Sequence, residues 1–258
     1  MPGPKKSLGQ HWLKDRGVLA GIAELADISE NDTVLEVGPG LGTLTSELLR
    51  RAEKVVAVEL DGDLARKLPG QFPGKNLEVV QQDILSYDLS ALPSGYVVVA
   101  NVPYYITSKI IQLLTTSSNP PRTIVLLVQR EVAERLAAEP GDMSLLAVSA
   151  QVYAEISLGE VVPAALFTPP PKVDSRVVVL RMRPQQLVSE AEQAAFWRVV
   201  KAGFSSKRKK LRSSIPHGLH ISKEEADIAL QAAGIDPNDR AERLSIYQWQ
   251  TLAKHLIQ

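Results

Sequence analysis

The chain has 258 residues, a 45% hydrophobic content and a formal net charge of zero, which predict a globular protein with one large and one small domain. It has no cysteine, which excludes disulfides and thiolate metal sites, and its four histidines are scattered, so we expect no metal centre. No apolar run approaches the roughly 20 residues that cross a bilayer, and the first residues lack the apolar core of a secretion signal. We therefore expect a cytoplasmic protein that is not bound to a membrane.

Apolar runs alternate with amphipathic stretches after an N-terminal arm that shows no clear period. The patterns predict strands at 33–37, 55–59, 77–80, 96–100 and 123–128. They predict helices at 17–27, 43–51, from 62 onward, and at 106–116, 130–138 and 143–152. This alternation predicts an α/β fold with a doubly wound, largely parallel sheet and helices on both faces.

The alternation of predicted strands and helices ends after Tyr153. Two late strands, at 156–162 and 176–182, flank a proline-rich loop that is too short for a crossover helix, so we expect them to be antiparallel. From Pro184 onward the patterns predict only helices, at 189–203, 207–213, 222–233 and 245–256. The sequence therefore predicts a domain of residues 1–183, including an arm of residues 1–16, and a small all-helical domain of residues 184–258.

A glycine-rich turn, GPGLG, follows the first predicted strand at residues 38–42. It is not the dinucleotide pattern G-x-G-x-x-G, because Thr43 and Thr45 stand where the third glycine would be. Residues 36–42 resemble instead the E-x-G-x-G-x-G form of S-adenosylmethionine-dependent methyltransferases. Glu59 and Asp83 end the next two strands, where they could accept ribose hydroxyls and an adenine amino group. The alternative for either carboxylate alone is a solvated side chain or a helix cap.

The fourth strand ends in Asn101-Val102-Pro103-Tyr104. Proline fixes its own φ and biases the preceding residue toward an extended conformation, so the turn is stiff. Such a turn can hold an amide oxygen, a backbone carbonyl and an aromatic face around a flat ring that bears an NH2 group. The segment predicts methylation of an exocyclic amine such as adenine N6, and the alternative is an ordinary strand-to-helix turn.

With these turns placed, the chain resembles the KsgA-type ribosomal RNA adenine dimethyltransferases over nearly its whole length. The shared motifs are SLGQHWL at 7–13, EVGPGLG at 36–42, NVPYYIT at 101–107, FTPPPKVDS at 167–175 and FSSKRKKL at 204–211. The resemblance implies a Rossmann-like methyltransferase sheet with S-adenosyl-L-methionine as cofactor. It also implies dimethylation of N6 on two adjacent adenosines near the 3′ end of small-subunit rRNA, within an assembling 30S particle.

The resemblance assigns roles to individual residues. The cofactor residues would be His11, Leu13, Gly38, Glu59, Asp83 and Asn101. At the acceptor, Asn101 and the Val102 carbonyl would bind N6, while Tyr104 and Phe167 would stack on the two faces of the base. His11, Trp12 and Val102 stand where the family often has Asn, Phe and Leu, and the last change leaves the backbone carbonyl intact.

A basic segment lies between residues 193 and 223, which contain no acidic residue. A neutral chain with one concentrated basic region has the charge distribution expected of a polyanion-binding protein. We expect contacts with RNA phosphates from Lys207, Arg208, Lys209, Lys210 and Arg212. The alternative is a solvated helix face.

Three other functions compete with this interpretation. An Erm-like methylase would use the same chemistry on large-subunit rRNA, but the proline-rich loop and the full helical tail favour the small subunit. A non-catalytic assembly or transcription factor would have lost Glu59, Asp83 or Asn101, and all are present. DNA or protein amino-group methylases usually carry Pro where Val102 stands. We therefore expect a monomeric rRNA methyltransferase.

Overall fold

The computed structural model describes residues 3–5 and 8–257. Part of the expected N-terminal arm, including Ser7 of the first motif, lies outside the described residues. The chain divides into two compact units, one containing the residues up to Glu134 with Ala154–Met182, and the other Arg135–Tyr153 with the residues from Arg183 onward. Among the described residues, no helix is both long enough and apolar enough to span a membrane.

The first unit contains a seven-stranded sheet and a separate two-stranded one. Its strands are β1 (Trp12–Leu13), β2 (Thr33–Val37), β3 (Lys54–Glu59), β4 (Leu77–Gln81), β5 (Val97–Asn101), β6 (Thr123–Gln129), β7 (Ala154–Val162), β8 (Phe167–Thr168) and β9 (Ser175–Met182). Its helices are α1 (Arg16–Leu25), α2 (Thr43–Leu48), α3 (Gly62–Lys67) and α4 (Thr107–Thr115), and α5 (Arg130–Leu136) crosses into the second unit. The second unit continues with α6 (Leu145–Gln151), α7 (Glu190–Phe204), α8 (Leu211–Leu219), α9 (Lys223–Ala232) and α10 (Ile246–Leu256).

The large sheet has the order β4-β3-β2-β5-β6-β9-β7. The five strands from β4 to β6 are parallel, and β9 lies antiparallel between β6 and β7. The predicted antiparallel late strand is therefore confirmed. Strand β2 pairs with β3 on one side and with β5 on the other, so the strand order reverses direction between β2 and β5. This position is the topological switch point, where open α/β sheets bind their ligands.

The apolar residues of β5 lie in the core of the sheet. Val97, Val98, Val99 and Ala100 are fully buried, as expected for a β-branched run covered on both faces. Val37 at the end of β2 pairs with Ala100. The glycine turn and the Asn-Val-Pro-Tyr turn therefore follow the carboxyl ends of two adjacent strands.

Three features differ from the sequence expectation. The helix expected at 207–213 begins only at Leu211, whose N–H donates to the Asp239 carbonyl at 2.8 Å. The pairing of β1 with β8 was not predicted, because two-residue strands have no periodicity to detect.

The third difference concerns the domain boundary expected at residue 183. The second unit does resume at Arg183, but it also contains residues 135–153. The N–H groups of Gly141 and Met143 donate to the Glu242 carbonyl at 2.9 and 3.0 Å, and the Tyr153 hydroxyl bonds to Gln193 at 3.2 Å. These long-range contacts tie the segment to the helical unit, and no local sequence pattern indicates them.

Candidate active site

A cleft opens in the first unit at the carboxyl ends of the parallel strands. The glycine turn, Glu59, Asp83, the turn after β5 and the arm residues from Leu8 to Leu13 line it. Its empty volume is about 1000 Å³, including space open to solvent. The carboxyl end of the strands is where open α/β sheets bind their ligands.

The glycine turn has a backbone that only glycine adopts without strain. Gly38 has a φ of +67° and donates its N–H to the Val58 carbonyl at 2.9 Å, and a Cβ there would meet nothing within 4 Å. Gly42 has a φ of +80°, and a Cβ there would lie 2.7 Å from Leu68 Cδ1. The turn therefore presents bare backbone to the cleft at Gly38 and packs tightly behind it at Gly42.

Glu59 supports this turn from the neighbouring strand. Its Oε2 accepts from the Gly40 N–H at 3.1 Å, and its Oε1 accepts from the Asp61 N–H at 2.8 Å. Burial raises the pKa of Glu59, while these backbone donors oppose the rise. Each carboxylate oxygen keeps a second lone pair, so Glu59 can still accept hydrogen bonds from a ligand.

Glu36, the first residue of the glycine motif, is 1% exposed. Burial raises the pKa of Glu36 to about 8. Hydrogen bonding with Thr45 opposes this rise, and the negative charge of Glu59 adds to it. Its Oε2 has no hydrogen-bond partner among the described residues. Glu36 is therefore largely protonated at neutral pH, which avoids placing a second negative charge beside Glu59.

Asp83 lies in the cleft wall with an exposed side chain. Its Oδ1 caps the following turn by accepting from the Leu85 N–H at 2.9 Å. Its other oxygen makes no hydrogen bond within the described residues and can accept one from a ligand. No group of three or more His, Asp or Glu side chains in the described part of the chain is placed to hold a metal ion.

The N-terminal arm is fixed along the cleft at several points. Lys5 Nζ lies 2.7 Å from Asp61 Oδ1, and Gln10 Nε2 lies 3.2 Å from Asp61 Oδ2. Leu13 is 2% exposed, and its carbonyl accepts from Thr43 Oγ1 at 2.9 Å. The arm thereby places both His11 and Leu13 in the wall of the cleft, and Leu13 is joined to Thr43, which follows the glycine turn.

The turn after β5 carries two unused hydrogen-bond acceptors. Asn101 Nδ2 donates to the His11 carbonyl at 3.1 Å. A carbonyl can only accept, so the NH2 end of the amide must face His11 and Oδ1 must face away. Within the described residues, no donor reaches Asn101 Oδ1 or the Val102 carbonyl. The turn therefore leaves two oxygens free to receive an NH2 group.

Tyr104 is held at both its ring and its hydroxyl. The hydroxyl lies 2.7 Å from Oγ of Ser175, which is fully buried, and burial raises the pKa of Tyr104. The His11 ring stacks with the Tyr104 ring at a centroid distance of 6.0 Å, and His11 Nδ1 lies 2.8 Å from the Pro169 carbonyl. The sequence did not identify Ser175, although it is the last residue of the proline-rich motif.

Phe167, which is expected to stack on the second face of the base, is buried in this structure. Its side chain is 2% exposed and packs in the hydrophobic core with Leu13, Leu127 and Val162. Its backbone pairs with Leu13 in the β1–β8 ribbon. Phe167 is therefore a core residue among the described residues and is not one of those that line the cleft, and burial of its apolar ring is favourable.

The basic segment lies in the second unit. Lys207, Arg208 and Lys209 are exposed and form no ion pair within the described residues. Lys210 Nζ bonds to Asn238 at 3.0 Å and keeps its net charge. Arg212 pairs with Asp227 at 2.8 Å, so its charge is partly neutralised, unlike the uncompensated cluster expected from the sequence.

Comparison with known proteins identifies the family. Residues 3–258 match the family described as Ribosomal RNA adenine dimethylase. The chain belongs to this family. Ribosomal RNA small subunit methyltransferase A of Dehalococcoides mccartyi strain CBDB1 is 42% identical over 96% of this chain and 87% of its own length. The corresponding protein of Geobacillus kaustophilus is 41% identical over 98% of this chain and 90% of its own length.

Solved structures extend the similarity to the fold. The 23S rRNA methyltransferase ErmE is 31% identical with a TM-score of 0.78, covering 96% of this chain and all of its own. A dimethyladenosine transferase from Plasmodium falciparum is 27% identical with a TM-score of 0.81, covering 94% of this chain and 96% of its own. The predicted fold class and the predicted membership of the rRNA adenine dimethylases are therefore confirmed.

The buried Glu36 should make the stability of this dimethylase depend on pH. Its pKa is about 8 in the folded state against an ordinary 4.5, so the folded state binds a proton that the unfolded state releases. This contribution is complete below pH 4.5 and is lost as the pH rises toward 8. The unfolding free energy of the wild type should therefore fall more steeply over this interval than that of Glu36→Gln.

Urea unfolding at several pH values measures this difference. The exposed substitution Glu30→Gln is the control and should leave the wild-type pH dependence unchanged. Parallel curves for the wild type and Glu36→Gln would show that Glu36 is ionised in the folded protein.

The Tyr104–Ser175 hydrogen bond should appear as an energetic coupling. Tyr104→Phe and Ser175→Ala each break the same bond, so their effects on the unfolding free energy should be non-additive by about 0.5–1.5 kcal/mol. The matched control is Tyr105→Phe with Ser175→Ala, because no hydrogen bond joins that pair, and those effects should add. Additive effects for Tyr104 and Ser175 would contradict the contact.

Proposed function

We propose that this protein uses S-adenosyl-L-methionine to dimethylate N6 of two adjacent adenosines near the 3′ end of small-subunit rRNA. The proposal includes action on the assembling 30S particle in the cytoplasm, by a monomer. The observation that carries it is the Asn101 amide, whose Nδ2 donates to the His11 carbonyl and so leaves Oδ1 as a free acceptor on a residue that lines the cleft with the glycine turn.

The cleft fits the proposed cofactor. Gly38 offers bare backbone with open space in front of it, and Glu59 offers a buried carboxylate at the end of the adjacent strand. His11, Leu13, Gly38, Glu59, Asp83 and Asn101 are the residues that would hold it. When bound, S-adenosyl-L-methionine supplies a methyl carbon made electrophilic by its sulfonium. The protein therefore has mainly to align the acceptor nitrogen with that carbon.

The acceptor turn addresses the low reactivity of the adenine amino group, whose lone pair is delocalised into the ring. Asn101 Oδ1 and the Val102 carbonyl can accept hydrogen bonds from the two N6–H groups. These bonds favour the pyramidal nitrogen that develops during attack, so they are stronger in the transition state than in the ground state. No side-chain base is required, because the alkylated amino group is a strong acid and can release its proton to these oxygens or to water.

Tyr104 would support the base by stacking on one face after it leaves the RNA stack. Stacking on an aromatic side chain is worth about 1–3 kcal/mol per base, which offsets much of the unstacking cost. The Ser175 hydrogen bond holds the Tyr104 ring in place before the base arrives. Phe167 would stack on the other face, and its ring is buried in the core in this structure.

The exposed cations Lys207 to Lys210 would contact RNA phosphates, with a smaller contribution from Arg212. Phosphate contacts position a substrate without reading its sequence. Specificity should then come from the shape of the RNA in the particle.

The second candidate is methylation of large-subunit rRNA, which the similarity to ErmE favours. Against it, the two small-subunit relatives are more similar to this chain, at 42% and 41% identity. Incubating the protein with labelled S-adenosyl-L-methionine and a mixture of immature small and large subunits decides between them. We expect N6,N6-dimethyladenosine in the small-subunit rRNA. Label confined to large-subunit rRNA, or no label at all, would refute the proposal.

Asn101→Ala should reduce methyl transfer at least about 100-fold, because the main oriented acceptor at N6 is lost. Binding of S-adenosylhomocysteine, measured by calorimetry, should weaken only modestly. The exposed substitution Asn76→Ala is the control and should leave both measurements unchanged. Wild-type turnover by Asn101→Ala would remove Asn101 from the mechanism.

The free cations should determine the salt dependence of RNA binding. Replacing Lys207, Arg208 and Lys209 with Gln should lower the slope of log affinity against log salt by about 2, since each single-strand phosphate contact contributes about 0.7. Arg212→Gln, a matched loss of one already paired cation, should change the slope less than Arg208→Gln does. Titrations of immature small subunits between roughly 50 and 200 mM salt measure these slopes. An unchanged slope in the triple variant would exclude this segment from the RNA interface.

A further inference from the structure

The turn after β5 places two tyrosines side by side in different surroundings. Tyr104 is fixed through its hydroxyl to the buried Ser175. Tyr105 lines the same cleft but is 61% exposed, more than any other large apolar side chain described in the first unit. Its hydroxyl makes no hydrogen bond within the described residues. An isolated exposed tyrosine is ordinary on a protein surface, so the position of Tyr105 must decide its role.

The Tyr105 ring is supported on one side by the N-terminal arm. A Cβ built at Gly9 would lie 3.4 Å from Tyr105 Cε1 and 3.6 Å from Pro103 Cβ. Gly9 has a φ of +62°, which favours glycine at this position. Pro103 stiffens the backbone just before the two tyrosines. The ring is therefore held at the mouth of the cleft while most of its surface remains open to solvent.

A base that enters the acceptor site has to leave its stack, and its neighbour in the RNA then loses a stacking partner. An aromatic side chain beside the entrance can replace that partner. Such stacking tolerates any base, because every base has a π face. Tyr105 adjoins Tyr104 in the chain, so a base stacked on Tyr105 would belong to a nucleotide close to the acceptor.

We propose that Tyr105 stacks on the base of the nucleotide next to the adenosine being methylated. The inference rests on the proposed function, since it assumes a single-stranded RNA substrate with its acceptor adenine in the cleft. Tyr105 then contributes to RNA binding and takes no part in the methyl transfer itself. Its loss should raise KM for the RNA and leave kcat and cofactor affinity unchanged.

Three substitutions separate stacking from other roles of Tyr105. Tyr105→Ala and Tyr105→Leu both remove the aromatic face, and the second retains an apolar side chain. Both should raise KM for immature small subunits about tenfold in the labelled-methyl assay. Tyr105→Phe keeps the face and should match the wild type. Val161→Ser is the control for losing an exposed apolar side chain and should also match it.

Four results would overturn the proposal. Wild-type KM for Tyr105→Ala would show that no base rests on the ring, and wild-type KM for Tyr105→Leu would show that apolar bulk suffices. A parallel loss of S-adenosylhomocysteine affinity in Tyr105→Ala would show that the ring only supports Gly9 and the arm. Absence of label in any RNA with the wild-type protein would refute the proposed function as well, whereas the first three results would leave it standing.

Discussion

The hydrogen bond from the Asn101 amide to the His11 carbonyl determines what this site can do. An asparagine side chain offers a donor at one end and an acceptor at the other, and only the acceptor end suits an incoming NH2 group. The His11 carbonyl can only accept a hydrogen bond, so it binds the NH2 end of the Asn101 amide and leaves Oδ1 as the acceptor. The N-terminal arm that lines the proposed cofactor cleft therefore also orients Asn101, the proposed acceptor residue, so both parts of the proposed site depend on the same short segment.

The order of the strands brings these halves together. Because β2 pairs with β5, the glycine turn and the Asn-Val-Pro-Tyr turn start from neighbouring positions at the carboxyl ends of these two strands. The strands that lead into both turns are buried on both faces of the sheet. Burial also raises the free-energy cost of a negative charge. The carboxyl group of Glu36 therefore stays largely protonated, while the carboxylate of Glu59 accepts hydrogen bonds from two backbone N–H groups.

Much of this architecture could be predicted from the sequence, because the strands are long apolar runs and the site residues follow them directly. The features that were not predicted have physical causes. The burial of Phe167 was not predicted, since an aromatic residue beside prolines suits a core and a ligand site equally well. The neutralisation of Arg212 by Asp227, the Ser175 contact and the place of residues 135–153 depend on long-range partners that no local period shows. Relatives at about 40% identity then support the substrate assignment, which physical patterns alone leave open.

A crystal structure of the protein with S-adenosylhomocysteine and an RNA fragment containing the acceptor adenosine tests the orienting role of His11 most directly. The account predicts that adenine N6 lies about 3 Å from both Asn101 Oδ1 and the Val102 carbonyl, with Nδ2 still bonded to the His11 carbonyl. An amide turned to present its NH2 group to the base, or a base bound away from the turn after β5, would contradict it.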